Sequence, residues 1–400
     1  MDVLIQTLFK WAMFVAKESM GTTKQMSILA TGGYGRGELS PLSDIDIMFL
    51  YPRSSMGKSL DNLKEIMTRE ILYPLWDAGL KVGHASREIK EALNESQKDI
   101  RNKNSMLDAR FVCGDRKISK KFIADFLKFC RKHQPALYLN ELLQHQIERR
   151  ESKGSTVFLQ APDVKNGVGG LRDYQGILWM AKVKFNLIGL KGLIDKKYLT
   201  EQEAKSFEDA YSFLLRVRNE LHFRSSRPVE TLHLEKQPDI ALGLGYPQEC
   251  IFRRVEAFMG DYYTKAQTIH QMSGILEERL VHANSGNTSK LSFRNVLKAY
   301  RAAPSQKVDN FDLREDILST ADTKIFDKDP ERMIRLFRHA QRLNASLSPD
   351  LRALVRNRLS LVDSTLINSS SANVTFRSIL QEVGNVSPVL CEMHELGVLG

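Results

Sequence analysis

The sequence lacks the features that would tie it to a membrane, to export or to a cysteine framework. No stretch approaches the ~20 uninterrupted apolar residues of a membrane span. Residues 1–20 are amphipathic but have no basic leader and no small-residue cleavage site. This excludes a signal peptide and points to a helix packed on the first domain. Cysteine is scarce: Cys113, Cys130, Cys250 and Cys391 are widely separated, with no C-x-x-C and no histidines at zinc-ligand spacing. That scatter argues against zinc and disulfides and fits a reducing cytoplasm. Two familiar phosphate loops are also missing. The dinucleotide pattern G-x-G-x-x-G fails because Glu38 stands where its last glycine should be. The P-loop pattern fails because Pro52 occupies the glycine position required ahead of Gly57-Lys58-Ser59.

The chain has 400 residues, more than one core usually serves, so two or three domains are expected. Its 42% hydrophobic and 26% charged content is ordinary for a globular protein. The net charge of +10 raises the possibility of nucleic-acid binding. However, the basic residues are interspersed with acidic ones, as in Glu148-Arg149-Arg150-Glu151, and no aromatic-interleaved basic stripe exists. A nucleic-acid partner is therefore ranked last.

The chemistry concentrates in residues 27–50. An apolar run of strand length (27–30) enters a turn with four glycines among six residues, Gly32-Gly33-Tyr34-Gly35-Arg36-Gly37. A second apolar run opens with Asp44-Ile45-Asp46. Strand side chains alternate, so Asp44 and Asp46 share one face while Ile45 and Ile47 point to a core. Paired carboxylates repel, and a hard divalent cation such as Mg²⁺ relieves that repulsion. Glycines just upstream allow bare backbone N–H groups to approach a phosphate. The competing reading is a solvated edge strand whose aspartates face water; the glycine turn and the flanking apolar strands weigh against it.

Further along, helical spacing marks 60–76 and 89–100, and strands are expected at 79–84 and 105–112. In the second strand, Arg110 would share a face with Asp108. Residues 118–151 read as helix, with Phe122, Phe126 and Phe129 as a core stripe. A second glycine-rich loop, 160–174, leads into a helix from Gln175. Its helix N-terminus is a candidate anion site, with Lys165 and Arg172 placed to pair with phosphates; taken on its residues alone it is only a loop between helices. Residues 175–280 are expected to be helical, with Arg216 and Arg218 either facing a triphosphate or lying on the surface. Residues 282–289 read as a linker, and 291–400 as a helical region including 311–318, 330–343 and 351–361.

The pattern Gly32-Gly33, ten residues, Asp44-Ile45-Asp46 resembles the signature of the DNA polymerase β-like nucleotidyltransferase superfamily. The longer string from Gly32 to Asp46 is similar to the N-terminal catalytic region of the bacterial PII-protein uridylyltransferase/uridylyl-removing enzymes. So are Val82-Gly83-His84, Pro162-Asp163-Val164-Lys165, Gly169-Gly170-Leu171-Arg172-Asp173 and the segment 212–222. The resemblance implies an α+β fold: a small polymerase β-like mixed sheet with helices, followed by helical bundle domains. The expected divisions are 1–20, an N-terminal helix; 21–117, the nucleotidyltransferase domain; 118–282, a helical domain carrying loop 162–173; and 291–400, a helical region. That last region ends where the family's HD domain would begin. No His-Asp dipeptide occurs in the sequence, so the hydrolase and ACT parts of the family are not expected here.

By the same resemblance, Asp44 and Asp46 hold Mg²⁺, and Asp108 supplies a third carboxylate for a second metal position and accepts the nucleophile's proton. Gly32, Gly33, Arg36, Ser43, Arg110, Lys165 and Arg172 are assigned to nucleotide binding. The implied reaction is transfer of UMP from UTP, or from another nucleoside triphosphate, to a tyrosine of the PII nitrogen-signalling protein in the cytoplasm, with release of pyrophosphate. Two alternatives remain at this level: adenylyl transfer to another protein or small molecule, and a non-catalytic nucleotide-sensing module.

Overall fold

The computed structural model describes residues 1–21, 25–52, 58–154, 156–282, 306–314, 317–382 and 386–399. The chain divides into two compact units, Met1–Asn284 and Ser285–Gly400. The boundary expected at 117/118 falls inside the first of them. The linker expected at 282–289 lies, after His282, outside the described residues. None of the described helices is long and apolar enough to cross a membrane.

The first unit is built on a four-stranded mixed sheet of order β3-β2-β1-β4. Its strands are β1 (Ser27–Ala30), β2 (Ile45–Tyr51), β3 (Val82–Glu88) and β4 (Arg110–Gly114). β1 runs antiparallel to β2 and to β4, whereas β3 pairs parallel with β2. The helices are α1 (Asp2–Met20), α2 (Gly32–Arg36), α3 (Lys58–Met67), α4 (Tyr73–Asp77), α5 (Ile89–Lys98), α6 (Ile100–Leu107), α7 (Arg116–Lys132) and α8 (Pro135–Ser152). They continue with α9 (Leu171–Phe185), α10 (Lys191–Asp195), α11 (Glu201–Phe223), α12 (Gln237–Gly243) and α13 (Ile251–His282).

Both faces of the sheet are covered, which is why β2 reads as a nearly continuous apolar run. Ile45, Ile47, Phe49 and Tyr51 pack into one core with Ile5, Phe9, Ala12 and Ala16 of α1. Met48 and Leu50 face the opposite core, formed largely by α7, α8, α9, α11 and α13. Asp46 shares this second face by strand alternation, so the helical layer looks onto the carboxylate side of the sheet.

Two local expectations are corrected. The strand at 105–112 is instead the end of α6 followed by a shorter β4; Asp99 caps α6 by accepting a hydrogen bond from Arg101 N at 2.7 Å. The single helix at 118–151 is two helices. They are separated at Gln134, in the left-handed region with φ 49°, and Pro135 opens α8.

The second unit contains a small sheet, correcting the all-helical expectation. Strands β5 (Gln306–Val308), β6 (Phe311–Arg314), β7 (Ile317–Ser319) and β8 (Ser346–Leu347) lie in that order. Within the segment 311–318, residues 311–314 and 317–318 thus lie in strands. Asp309 and Asn310 both have positive φ, 49° and 67°, the turn geometry that joins two-residue hairpins. Helices Arg332–Leu343, Ser370–Leu380 and Val386–Glu395 pack on this sheet around Phe311, Phe326, Phe337 and Met393.

Loop 153–170 is held against α13 by a close backbone approach. Gly169 has φ 69°, and a Cβ there would collide with the Ala266 carbonyl. Gly169→Ala is therefore expected to destabilise the first unit by more than about 2 kcal/mol, read as a lower urea midpoint. An unchanged midpoint would mean that the loop is not fixed at this contact.

Candidate active site

Asp46 sits at the start of β2 with its carboxylate between two glycines. A Cβ on Gly32 would lie 3.2 Å from Asp46 Oδ2, and one on Gly83 would lie 2.5 Å from Oδ1. Glycine at 83 is thus required by the carboxylate, a signal that the sequence showed as Val-Gly-His without its reason. Asp44 is exposed just ahead of the strand, and Asp46 is half-buried. Burial, and then the neighbouring Asp44 charge, push the Asp46 carboxyl above the usual carboxylate range, against the pull of Lys165, Arg172 and Arg36. Among the described residues neither aspartate has an ion-pair partner. Both line a cavity of about 390 Å³, shared with Gly32, Gly33, Arg36, Ser43, Asp108, Lys165 and Arg172.

The glycine turn is a short helix, α2, and its Arg36 is held by two carboxylates. Arg36 Nε donates to Glu38 Oε2 at 2.6 Å and Nη1 to Asp108 Oδ2 at 2.5 Å. Burial disfavours this guanidinium, but Asp108, Tyr211 and Glu38 outweigh it and hold its pKa above normal. Asp108 Oδ1 accepts from Trp179 Nε1 at 3.0 Å, so both of its oxygens are engaged. Asp108 thus reaches the cavity from the end of α6 and not from a strand, as the counter-ion of Arg36. Among the described residues no group of three or more His, Cys, Asp or Glu side chains is placed to hold a metal. Glu38 is anchored in turn by Tyr211, whose hydroxyl donates to Glu38 Oε2 at 2.7 Å and accepts from Gln175 Nε2 at 2.8 Å.

The second glycine-rich loop contributes side chains rather than a helix terminus. The first N–H groups of α9 are already bonded inside the loop: Leu171 N to Val164 O (3.0 Å), Arg172 N to Lys165 O (3.0 Å) and Asp173 N to Gly170 O (3.1 Å). The expected anion site at this N-terminus is therefore closed. Asp173 is fully buried, paired with Arg149 and with Arg150 (3.0 Å), and accepts from Gly169 N at 2.8 Å. Its role is to anchor the loop. Arg172 makes no ion pair among the described residues; its Nη1 donates to Gln175 Oε1 at 2.9 Å, and its guanidinium lies 5.6 Å from the Trp179 ring centre. Burial and then the Arg36 charge lower its pKa to about 10. Lys165 is also depressed, chiefly by burial, and lies 3.4 Å from Glu230 Oε1.

Arg218 clamps the segment that delivers the aspartates. It donates to Ser40 Oγ (2.9 Å) and Ser43 Oγ (3.1 Å), while Glu230 holds it through two bonds of 2.7 and 2.6 Å. Arg216 is exposed, so of the two candidate arginines on α11 only Arg218 reaches the site. Arg110 is not a cavity residue: it pairs bidentately with Asp2 at 2.7 and 3.0 Å and donates to the Tyr34 and Gly35 carbonyls. His84 is exposed, edge-on to Trp76 at 5.8 Å. The sequence pointed to neither Glu230 nor Trp179, and nothing in their local patterns marks them.

Two hard carboxylates without a cationic partner fit a divalent cation that takes one or two protein carboxylates and completes its shell with water and substrate phosphate. Because the Asp46 pKa is raised, its charged form costs stability above that pKa and nothing once protonated. Asp46→Asn is thus expected to raise the melting temperature of the metal-free protein at neutral pH, by an amount on the order of 2 °C, and to lose the gain as pH falls through the Asp46 pKa. Thermal melts at two pH values check the sign; a lower melting temperature for the variant at neutral pH would contradict it.

Comparison with known families agrees with this geometry. Residues 17–101 match the model described as a nucleotidyltransferase domain, 138–277 that of the GlnD PII-uridylyltransferase, and 311–400 that of the uridylyltransferase GlnD third domain. A bifunctional uridylyltransferase/uridylyl-removing enzyme of Bradyrhizobium sp. (strain BTAi1) is 33% identical over 94% of this chain and 40% of its own length. The enzymes of the same name from Rhodopseudomonas palustris and Rhodospirillum rubrum are each 32% identical over 100% of this chain, and over 43% and 42% of their own lengths. The chain thus spans about two fifths of the curated relatives it matches. With the nucleotidyltransferase-domain, GlnD PII-uridylyltransferase and GlnD third-domain models all matching along it, the chain belongs to the GlnD-type uridylyltransferase family.

Proposed function

We propose that this chain carries a Mg²⁺-dependent nucleotidyltransferase centre that transfers UMP from UTP to a tyrosine hydroxyl of a PII-type signalling protein in the cytoplasm. One observation carries the reading: among the described residues, an aspartate pair without an ion-pair partner and an arginine without one line the same cleft. They act on each other only at a distance, and a metal-bound triphosphate supplies a direct contact for both.

In this reading Asp44 and Asp46 hold the Mg²⁺, which when bound offsets the charge of the triphosphate. Arg172 and Lys165 pair with the outer phosphates. Gly32 and Gly33 let the backbone approach them, and Arg36 Nη2, the arm that neither carboxylate engages, lies beside Gly33. Ser43 orients the loop through Arg218. Asp108 acts through Arg36. The acceptor phenol gives its proton to solvent, its oxygen bonds to the α-phosphorus, and the bond from the α-phosphorus to the oxygen bridging to the β-phosphate breaks to release pyrophosphate. The relatives' names support uridylyl transfer. Their uridylyl-removing activity lies outside this proposal.

Pyrophosphate release with Mg²⁺ and UTP, with and without a PII protein, tests the reading. Asp44→Asn and Asp46→Asn are each expected to lower transfer by roughly 100-fold or more with folding intact. Near-wild-type turnover in either would sink the metal assignment, and turnover of ATP without UTP would replace uridylyl by adenylyl transfer. Arg172→Ala removes one charge-assisted contact and should weaken nucleotide binding about 10- to 100-fold in calorimetry.

A further inference from the structure

Helices α6 and α8 each turn a polar stripe toward the cleft. On α6 the stripe is Arg101, Asn104 and Ser105, with Asp108 at its end. On α8 the cleft-lining residues Leu142, His145, Gln146 and Arg149 repeat at i, i+3, i+4 and i+7. The α8 stripe changes character along its length. At its far end Gln146 Nε2 donates to the Arg172 carbonyl at 3.0 Å, and Arg149 donates to the carbonyls of Asn166 and Gly167. This is the cationic end of the cleft, beside Lys165 and Arg172. Leu142 and His145, nearer the start of α8, supply an apolar and an aromatic surface. From Leu142 to Arg149 the helix advances about 10 Å, comparable to the reach of a nucleotide from its base to its outer phosphates.

Asn104 faces this second end with a fixed orientation. The hydroxyl of Tyr138, a residue 1% exposed, donates to Asn104 Oδ1 at 2.6 Å. Burial pushes the phenol's pKa up, so the proton stays and needs an acceptor. Among the described residues Asn104 is its acceptor, and flipping the amide would leave that proton stranded in the interior. Asn104 is 7% exposed, yet its Nδ2 has no hydrogen-bond partner among the described residues, and the residue lines the cleft. Continuity with the metal end is direct. A Cβ on Gly32 would meet both Asp46 Oδ2, at 3.2 Å, and Oγ of Ser105, the residue next to Asn104, at 3.4 Å.

We infer that Asn104 is a specificity-determining residue that donates from Nδ2 to a ring carbonyl of the nucleobase, with Leu142 and His145 against the base and Tyr138 positioning the amide. This rests on the nucleotidyl-transfer reading and deepens it. A fixed amide donor suits uracil, whose carbonyl oxygens project from the ring, over adenine, whose N1 and N7 acceptors each lie beside the N6 amino donor that the same Nδ2 would oppose.

Equilibrium binding of UTP and of ATP to the whole chain with Mg²⁺ and no acceptor protein tests the inference. The wild type is expected to bind UTP more tightly than ATP. Asn104→Ala should weaken UTP about tenfold and leave ATP within about twofold. Tyr138→Phe keeps the ring but frees the amide to turn, so ATP should tighten while UTP weakens. General damage to the fold cannot produce those opposite shifts. Equal affinity for the two nucleotides in the wild type, or parallel loss of both in the variants, would overturn the inference. Because the readout is binding, selective UTP recognition without transfer would refute the transferase reading alone.

Discussion

The pair of Arg218 and Glu230 is the interaction on which the site most depends. Arg218 lies on α11, Glu230 on the strap that follows it, and their partners Ser40 and Ser43 lie in the loop entering β2. The strap is in turn pinned to the second glycine-rich loop, with Val164 N bonded to Glu230 O at 2.8 Å and Leu232 N to Pro162 O at 2.9 Å. One buried guanidinium thus fixes the aspartate loop and the second glycine-rich loop relative to each other. Burial alone would raise the Glu230 carboxyl, yet Arg218, His222 and Lys165 hold it below its usual range. Such a pair withstands burial because nearly every donor of the arginine is engaged. Removing either partner would leave the other charge uncompensated in the interior.

The distribution of compensated and uncompensated charge separates scaffold from site. Arg36 with Asp108 and Glu38, Arg150 with Asp173 and Glu277, and Arg218 with Glu230 are closed pairs. Their charges are engaged with one another, and they set positions. Among the described residues Asp44, Asp46 and Arg172 remain without an ion-pair partner, and two of them are kept in an unfavourable state by their surroundings: Asp46 is pushed up by burial and Asp44, and Arg172 down by burial and Arg36. That cost is tolerable only where a ligand offsets it, which is why perturbed groups gather at functional sites.

The shared face of the aspartate pair was legible because its geometry is local. Strand alternation over Asp44, Ile45 and Asp46 needs no tertiary information, and the structure places Ile45 and Ile47 in one core with Met48 and Leu50 in the other, as that period requires. Asp108 was misplaced because residues 105–107 are the tail of a helix whose start, the Asp99 cap, was read as the end of the preceding one. Arg110 could not be assigned from its neighbours: its partner Asp2 lies 108 positions away on α1. Trp179 and Glu230 carry no local mark, since each matters only through a distant counterpart. The strands within 306–319 were missed although Asp309-Asn310 is a recognised turn pair, because runs of three or four residues do not distinguish a strand period from a helical one.

A stripe at i, i+3, i+4, i+7 is ordinarily taken as the core face of a helix. On α6 and α8 the same spacing carries Arg101, Asn104, Ser105, His145, Gln146 and Arg149, which are polar. Neither helix lacks a core: Met106, Leu107, Tyr138, Leu139 and Leu142 sit in the main cluster. Each therefore has two inward directions, one apolar and one polar, and only a cleft within the unit satisfies both. The division of labour follows from that geometry. The sheet delivers carboxylates at one point, rigidly, through backbone pairing on both sides of β2. The helices deliver a line of side chains spaced along an axis, which suits an elongated ligand whose base, sugar and phosphates must each meet a different group. A nucleotide is such a ligand, and on the proposed reading the polar stripes are where this fold meets its length.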